Sequence, residues 1–155
     1  MRQKKSFWLI AVVGIILDQI TKYLVVLNFA EIGDTLPLWQ GVFHFTYVIN
    51  TGAAFSLFRG QVEILRWISL IVSLLLILFV IYSPRLNLAE QLGYGFILAG
   101  AVGNGIDRFL FGYVVDFLDF RLINFPVFNL ADVAINIGVL LLFIVSFVEL
   151  PRDKP

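Results

Sequence analysis

The sequence predicts an all-α integral membrane protein of four transmembrane helices, with a small extracytoplasmic β-sheet between the first and second spans. Three observations carry this. Of 155 residues, 60% are hydrophobic and only 14% charged, and a mean hydropathy of +0.94 lies outside the soluble globular range. Four apolar runs, at 7–29, 61–82, 88–110 and 129–149, each hold about twenty residues, enough to cross a hydrocarbon core of about 30 Å. Lastly, Arg2, Lys4, Lys5, Arg85, Arg152 and Lys154 fall on one side of such a bundle, and Arg59 and Arg121 on the other. Cytoplasmic loops carry the excess of Lys and Arg, so both termini are expected in the cytoplasm and segments 30–60 and 111–128 outside. The chain is expected to be one polytopic domain, 1–155, monomeric in membrane lipid.

Composition also excludes. Zero net charge without a basic run argues against nucleic-acid binding. The absence of cysteine removes disulfides, thiol nucleophiles and thiolate metal sites, and a single histidine, His44, rules out a poly-His site. No metal or cofactor is expected, and difficult chemistry is left to carboxylates.

In chain order, Arg2, Lys4 and Lys5 precede a first apolar run too long for a secretory signal and followed by no small-residue cleavage pattern, so it is read as a retained span. Within it, Asp18 and Lys22 are four apart and share a helical face as an ion pair. The next segment is punctuated by glycine and proline. Its Val42–Ile49 stretch is aromatic and β-branched, the material of a strand lying on the bilayer. His44 is read there as a solvated or interfacial strand residue rather than a catalyst. Asn50, followed by Gly52 and Ala53, places a polar side chain beside small residues that let a backbone come close. The second span opens with Glu63 and Arg66, read as a surface pair, and Trp67 at interfacial depth. Pro84 ends it. In the third span Ala99 and Gly103 form a small-xxx-small step for close helix packing. At its far end Asn104, Asp107 and Arg108 share a face, as a support for a site or as an end-of-helix charge cluster.

The connector contains Asp116 and Asp119, and the last span opens with Asn129, Asp132 and Asn136 on one stripe. Such a stripe must face the bundle interior, because an ionisable group in lipid costs at least about 2.5–3.5 kcal/mol and by default marks a functional site. Following the topology, Asp116, Asp132, Asn50 and the Asn104–Arg108 cluster converge at the outer surface. Two adjacent carboxylates share one proton. That pairing suits peptide hydrolysis, one carboxylate activating water while the other protonates the carbonyl oxygen. Spacing alone leaves Asp119 open beside Asp116. A proton-coupled transporter or a non-enzymatic assembly subunit are the competing classes, although a transporter would place its acid near mid-membrane.

Asp18-Gln19-Ile20-Thr21-Lys22, Asn50-Thr51-Gly52-Ala53-Ala54-Phe55-Ser56, Gly103-Asn104-Gly105-Ile106-Asp107-Arg108, Val114-Val115-Asp116-Phe117 and Phe128-Asn129-Leu130-Ala131-Asp132 resemble, in order and across most of the chain, the signature segments of bacterial lipoprotein signal peptidase, signal peptidase II. The resemblance implies an aspartic endopeptidase of the bacterial cytoplasmic membrane that cleaves diacylglyceryl-modified prolipoproteins just before the lipobox cysteine, without metal or cofactor. It implies Asp116, rather than Asp119, and Asp132 as the catalytic pair. Asn50, Gly52, Ala53, Asn104, Asp107, Arg108, Asn129 and Asn136 would support that pair or bind substrate, with Asp18 and Lys22 as inner support. Two positions depart from the family pattern. Ile49 stands where many members carry a basic residue, and Gly105 is smaller than the usual neighbour of Asn104, which would loosen that helix end.

Overall fold

The computed structural model describes residues 4–52, 58 and 60–148; Ala53, Arg2, Arg59 and the segment 149–155 lie outside the described residues. In order the elements are α1 (Lys5–Asn28), β1 (Thr35–Trp39), β2 (Phe43–Asn50), α2 (Val62–Tyr82), α3 (Leu88–Leu110), β3 (Val114–Phe120), a 3₁₀ turn (Arg121–Ile123) and α4 (Leu130–Val148). Among the described residues, three helices are long and apolar enough to cross a membrane: α1, α2 and α4.

The run expected to form the third span, α3, is not among those three, and its position explains why. It packs against α1, α2 and α4, so its surroundings are protein rather than lipid. Glycine, alanine, Asn104, Asp107 and Arg108 are buried along it. Small residues there let helices touch backbone to backbone. A Cβ at Gly14 would lie 2.6 Å from that of Ala99, and one at Gly103 would lie 2.5 Å from Asp18 Oδ2. On the α4 side a Cβ at Gly138 would lie 2.5 Å from the Gly93 carbonyl oxygen, and one at Gly100 would strike the Ala131 carbonyl oxygen. Gly100→Ala therefore forces α3 and α4 apart. Overpacking of this kind costs about 1–3 kcal/mol, read as a lower unfolding temperature in detergent. Gly105→Ala, whose Cβ would meet Ser69, at 3.2 Å from its Cβ and 4.0 Å from its hydroxyl oxygen, should lower it less. A Gly100→Ala protein as stable as wild type would refute the close α3/α4 approach.

The sheet is three-stranded and antiparallel, in the order β1-β2-β3. The sequence places it between the first two spans, and β1 and β2 do lie there. The third strand corrects that reading: it comes from the connector after α3, where Val114-Val115-Asp116-Phe117-Leu118-Asp119-Phe120 satisfies its backbone on β2. Pairing runs from Phe43 opposite Phe120 to Asn50 opposite Val114, with a register shift between Phe45 and Val48. Side chains alternate across a strand, so Asp116 and Asp119, three apart, point to opposite faces. The bulge re-aims β2 by one residue. It puts Val48, opposite Asp116, and Asn50 on the Asp116 face, while His44 sits opposite Asp119.

His44 is buried rather than solvated. Its Nδ1 lies 3.2 Å from the Thr35 hydroxyl and its Nε2 accepts the Gly41 N–H at 3.2 Å, in the turn between β1 and β2. Asp119 accepts from Thr46 at 2.6 Å and from Arg121 Nε at 2.9 Å. Burial opposes its charge, but these two hydrogen bonds and the positive charge of Arg121 prevail and hold its carboxyl below the ordinary range. This cluster pins the far face of the sheet.

Candidate active site

Asn129 ends the connector and caps α4. Its side-chain oxygen accepts the Asp132 N–H at 3.0 Å, while Asp132 Oδ2 accepts the Asn129 N–H at 3.3 Å. This reciprocal arrangement satisfies two orphan donors of the helix start. It also sets Asp132 in the first turn, where the helix dipole favours negative charge. The Asn129 Nδ2 then points the other way, donating to Asp116 Oδ1 at 2.6 Å, with the Asn104 Oδ1 at 3.0 Å and the Val115 carbonyl at 3.3 Å also in reach. Asp116 Oδ2 accepts from Asn50 at 2.9 Å, and Asp132 Oδ1 accepts from Asn104 at 2.8 Å. The two carboxylates, one on β3 and one on α4, are thus joined through the amides of Asn129 and Asn104.

Behind this layer lies a second, ionic one. Lys22 Nζ reaches Asp18 at 2.9 Å, Asp107 at 3.0 Å and Asn104 Oδ1 at 3.0 Å, all buried. Asp18 accepts the Ala131 N–H of α4 at 2.9 Å, and Asp107 accepts the Val115 N–H of β3 at 3.1 Å. Gln19 bridges Asp107 Oδ1 at 3.0 Å and the Gly103 carbonyl at 3.2 Å. The ion pair expected within the first span is therefore formed and extended to α3, tying α1 to each element that presents a carboxylate. The Lys22 contact also orients Asn104: with its oxygen accepting from Lys22, its N–H is left for Asp132.

Asp107 and Arg108 part company. Asp107 turns toward α1 and β3, whereas Arg108 donates from Nη1 to the Ser69 hydroxyl of α2 at 3.2 Å and from Nη2 to the Gly52 carbonyl at 3.3 Å. Gly52 in turn donates its N–H to Asn50 Oδ1 at 2.8 Å, which fixes the Asn50 amide so that its N–H faces Asp116. Asn136 is exposed and bonds the Asp132 backbone carbonyl at 2.8 Å, not either carboxylate.

These groups open onto a cleft of about 1090 Å³ lined by Asp116, Asp132, Asn50, Gly52, Asn104, Arg108 and Asn136. Apolar side chains wall it, among them Leu65, Ile68 and Val72 of α2 and Val133 and Ile137 of α4. Asp116 is pushed up from 3.8 to about 7, chiefly by burial and then by the negative charge of Asp132. The hydrogen bonds of Asn50 and Asn129 and the charge of Lys22 pull it back part of the way. A buried carboxyl that holds a proton near neutrality, beside a second carboxylate in a cleft, is equipped for acid–base chemistry.

Gln19 and Ser69 carry no role in the sequence reading. Ser69 had a signal: with Ser73 it forms a four-residue polar step in an otherwise apolar run, the same pattern that marks Asn129, Asp132 and Asn136. Gln19 stands one residue off the Asp18–Lys22 face.

The model of the family described as Signal peptidase (SPase) II matches residues 10–148. Two proteins named lipoprotein signal peptidase are similar over nearly the whole chain. That of Microcystis aeruginosa is 68% identical over 94% of each chain. That of Synechocystis sp. is 65% identical over 96% of this chain and 91% of its own. Among solved structures, a bacterial membrane enzyme determined by the in meso method at 2.3 Å resolution superposes with a TM-score of 0.87 at 36% identity, covering 94% of this chain and 90% of that one. A match of this extent, carried by sequence and fold together, makes the chain a member of the signal peptidase II family of bacterial membrane proteases.

Proposed function

We propose that the protein is an aspartic endopeptidase of the bacterial cytoplasmic membrane. It removes the signal peptide from diacylglyceryl-modified prolipoproteins, cutting just before the lipidated lipobox cysteine, with Asp116 and Asp132 as the catalytic pair. One observation carries the reading: carboxylates from two separate elements line one cleft and are linked by a chain of side-chain amides, Asn129 donating to Asp116 and to Asn104, and Asn104 to Asp132. In this reading α3 is the fourth transmembrane helix, the chain is a single monomeric domain, and its termini are cytoplasmic. The sheet and the site then lie at the extracytoplasmic face.

The pair holds one proton between its carboxyl groups. The ionised member takes a proton from water as that water attacks the scissile carbonyl, and the protonated member gives its proton to the carbonyl oxygen. Collapse of the tetrahedral intermediate breaks the C–N bond, the leaving amine taking up a proton from the pair. Asn50, Asn104 and Asn129 orient the carboxylates. Arg108, Gly52 and Ala53 meet the substrate backbone, Asn136 lines its path, and Asp18, Lys22 and Asp107 hold the assembly. Apolar walls on α2 and α4, helices that both pack on α3, suit acyl chains arriving sideways from lipid. Hydrolysis of a synthetic diacylglyceryl lipobox peptide by the purified protein, with the unlipidated peptide left intact, tests the reading. Equal rates on both would remove the lipid requirement, and no cleavage would remove the reading.

The raised carboxyl makes the pH dependence specific. With Asp116 near 7, the shared proton is lost as pH rises through that value, so kcat/KM falls on the alkaline side. Asn50→Ala removes a hydrogen bond that favours the charged form, so the alkaline limb should move to higher pH as the rate drops. A limb that stays in place, or moves to lower pH, would contradict the assignment of Asn50 to Asp116.

A further inference from the structure

Resting on the peptidase reading, we infer that Ser69 of α2 is a positioning residue for the reaction: it holds the Arg108 guanidinium at the cleft wall so that its remaining N–H groups meet the substrate backbone. A serine within a helix commonly returns its hydroxyl to its own backbone. Ser73 does so, bonding the Ser69 carbonyl at 2.7 Å, and Thr21 bonds the Leu17 carbonyl at 2.9 Å. The Ser69 hydroxyl instead turns across to α3 and accepts from Arg108 Nη1 at 3.2 Å.

Arg108 needs this contact. It is 9% exposed and makes no ion pair among the described residues. Among the described residues, Ser69 and the Gly52 carbonyl are the two groups that grip its side chain, from different elements bordering one cleft. A long arginine side chain carries about 2 kcal/mol of rotamer entropy, and ordering it before substrate arrives spares that loss on binding.

The close approach of α2 is made possible by Gly105, where a Cβ would meet the Ser69 Cβ at 3.2 Å. The small residue seats Ser69, and α3 continues unbroken to Leu110. One turn earlier Arg66 fastens α2 to the same helix end. Its Nε donates to the Arg108 carbonyl at 3.1 Å, and its guanidinium lies 5.3 Å from the Phe109 ring centre. Arg66 thus secures the backbone of Arg108, and Ser69 its side chain.

The test is steady-state cleavage of the synthetic diacylglyceryl lipobox peptide by the full-length protein. Ser69→Ala should raise KM about tenfold, the order expected for one hydrogen bond to a charged group, with kcat and the unfolding temperature little changed. Ser69→Thr, which keeps the hydroxyl, should restore KM. In an Arg108→Leu background Ser69→Ala should add nothing, because no donor is left at residue 108 to meet the hydroxyl. A wild-type KM in Ser69→Ala, an equal rise in the Arg108→Leu background, or a joint loss of kcat and thermal stability would each overturn the inference. Wild-type protein that leaves the peptide intact would remove the peptidase reading, and this inference with it.

Discussion

Asp116→Asn and Asp132→Asn are each expected to lower cleavage of a lipidated precursor by about 10³-fold or more, while the protein still accumulates in the membrane. The size follows from chemistry that a carboxamide cannot perform. It neither accepts a proton from water nor carries one to the carbonyl oxygen, and general acid–base steps alone contribute about 10²–10⁴-fold. Members of a unit that act together lose most of their effect when either is removed, so the double variant should be little worse than each single one. Folding is expected to survive because both substitutions keep shape and remove a charge from a largely buried place. In Asp116→Asn one of the donors now directed at Asp116, from Asn50 or Asn129, meets an amide N–H instead of an oxygen. An unmet buried donor costs about 1–3 kcal/mol, offset in part by relief of the desolvated charge. Asp119→Asn is the control. Its carboxyl is on the opposite face of β3, held by Thr46 and Arg121, and cleavage should persist. Processing assayed in membranes beside an immunoblot for accumulation decides the matter: near-normal cleavage by either dyad variant ends the aspartic mechanism, and loss of accumulation assigns the residue to structure.

The second large effect is on stability. Lys22→Met should destabilise the protein by about 3–5 kcal/mol, the usual consequence of removing one member of a buried ionic group. Lys22 is 3% exposed and spends its donors on Asp18, Asp107 and Asn104. Without it two carboxylates of α1 and α3 remain buried with no cation between them. Asn104 also loses the partner that fixes its amide, so activity should fall with stability. Neutralising the whole group in Asp18→Asn/Lys22→Met/Asp107→Asn should recover much of the lost stability, because no uncompensated charge is left. Thermal unfolding in detergent provides the comparison. A Lys22→Met protein that unfolds with wild type, or a triple variant no better than the single, would show that the ionic layer does not hold the helices.

How much of this was readable in advance depended on the range of the interaction. The Asp18–Lys22 pair is a matter of i,i+4 spacing, and it is formed. Ala99 and Gly103 announce close packing by size alone, and the strand at Val42–Ile49 declares itself by β-branched and aromatic content. Neighbouring positions in the chain share a local geometry, so such features need no knowledge of the rest of the fold. The spacing of Asp107 and Arg108 suggested one cluster, yet the two side chains serve different partners, because α1 and β3 flank one side of α3 and α2 the other. His44 read as a solvated or interfacial strand residue and is buried, since its cover comes from the β1 turn and from β3.

By itself the sequence determined that the chain is an apolar, helical membrane protein, which segments are helices, and which few polar residues the apolar composition leaves for chemistry. Hydrophobicity, periodicity and motif order are properties of the linear chain. Only the tertiary structure decided that the connector after α3 becomes the third strand, that a bulge in β2 puts Asn50 on the Asp116 face and leaves Asp119 on the other, and that Ser69 reaches Arg108. Those outcomes turn on the pairing register and on the separation of helices, and both are set by which distant backbones can satisfy one another's hydrogen bonds and come into contact.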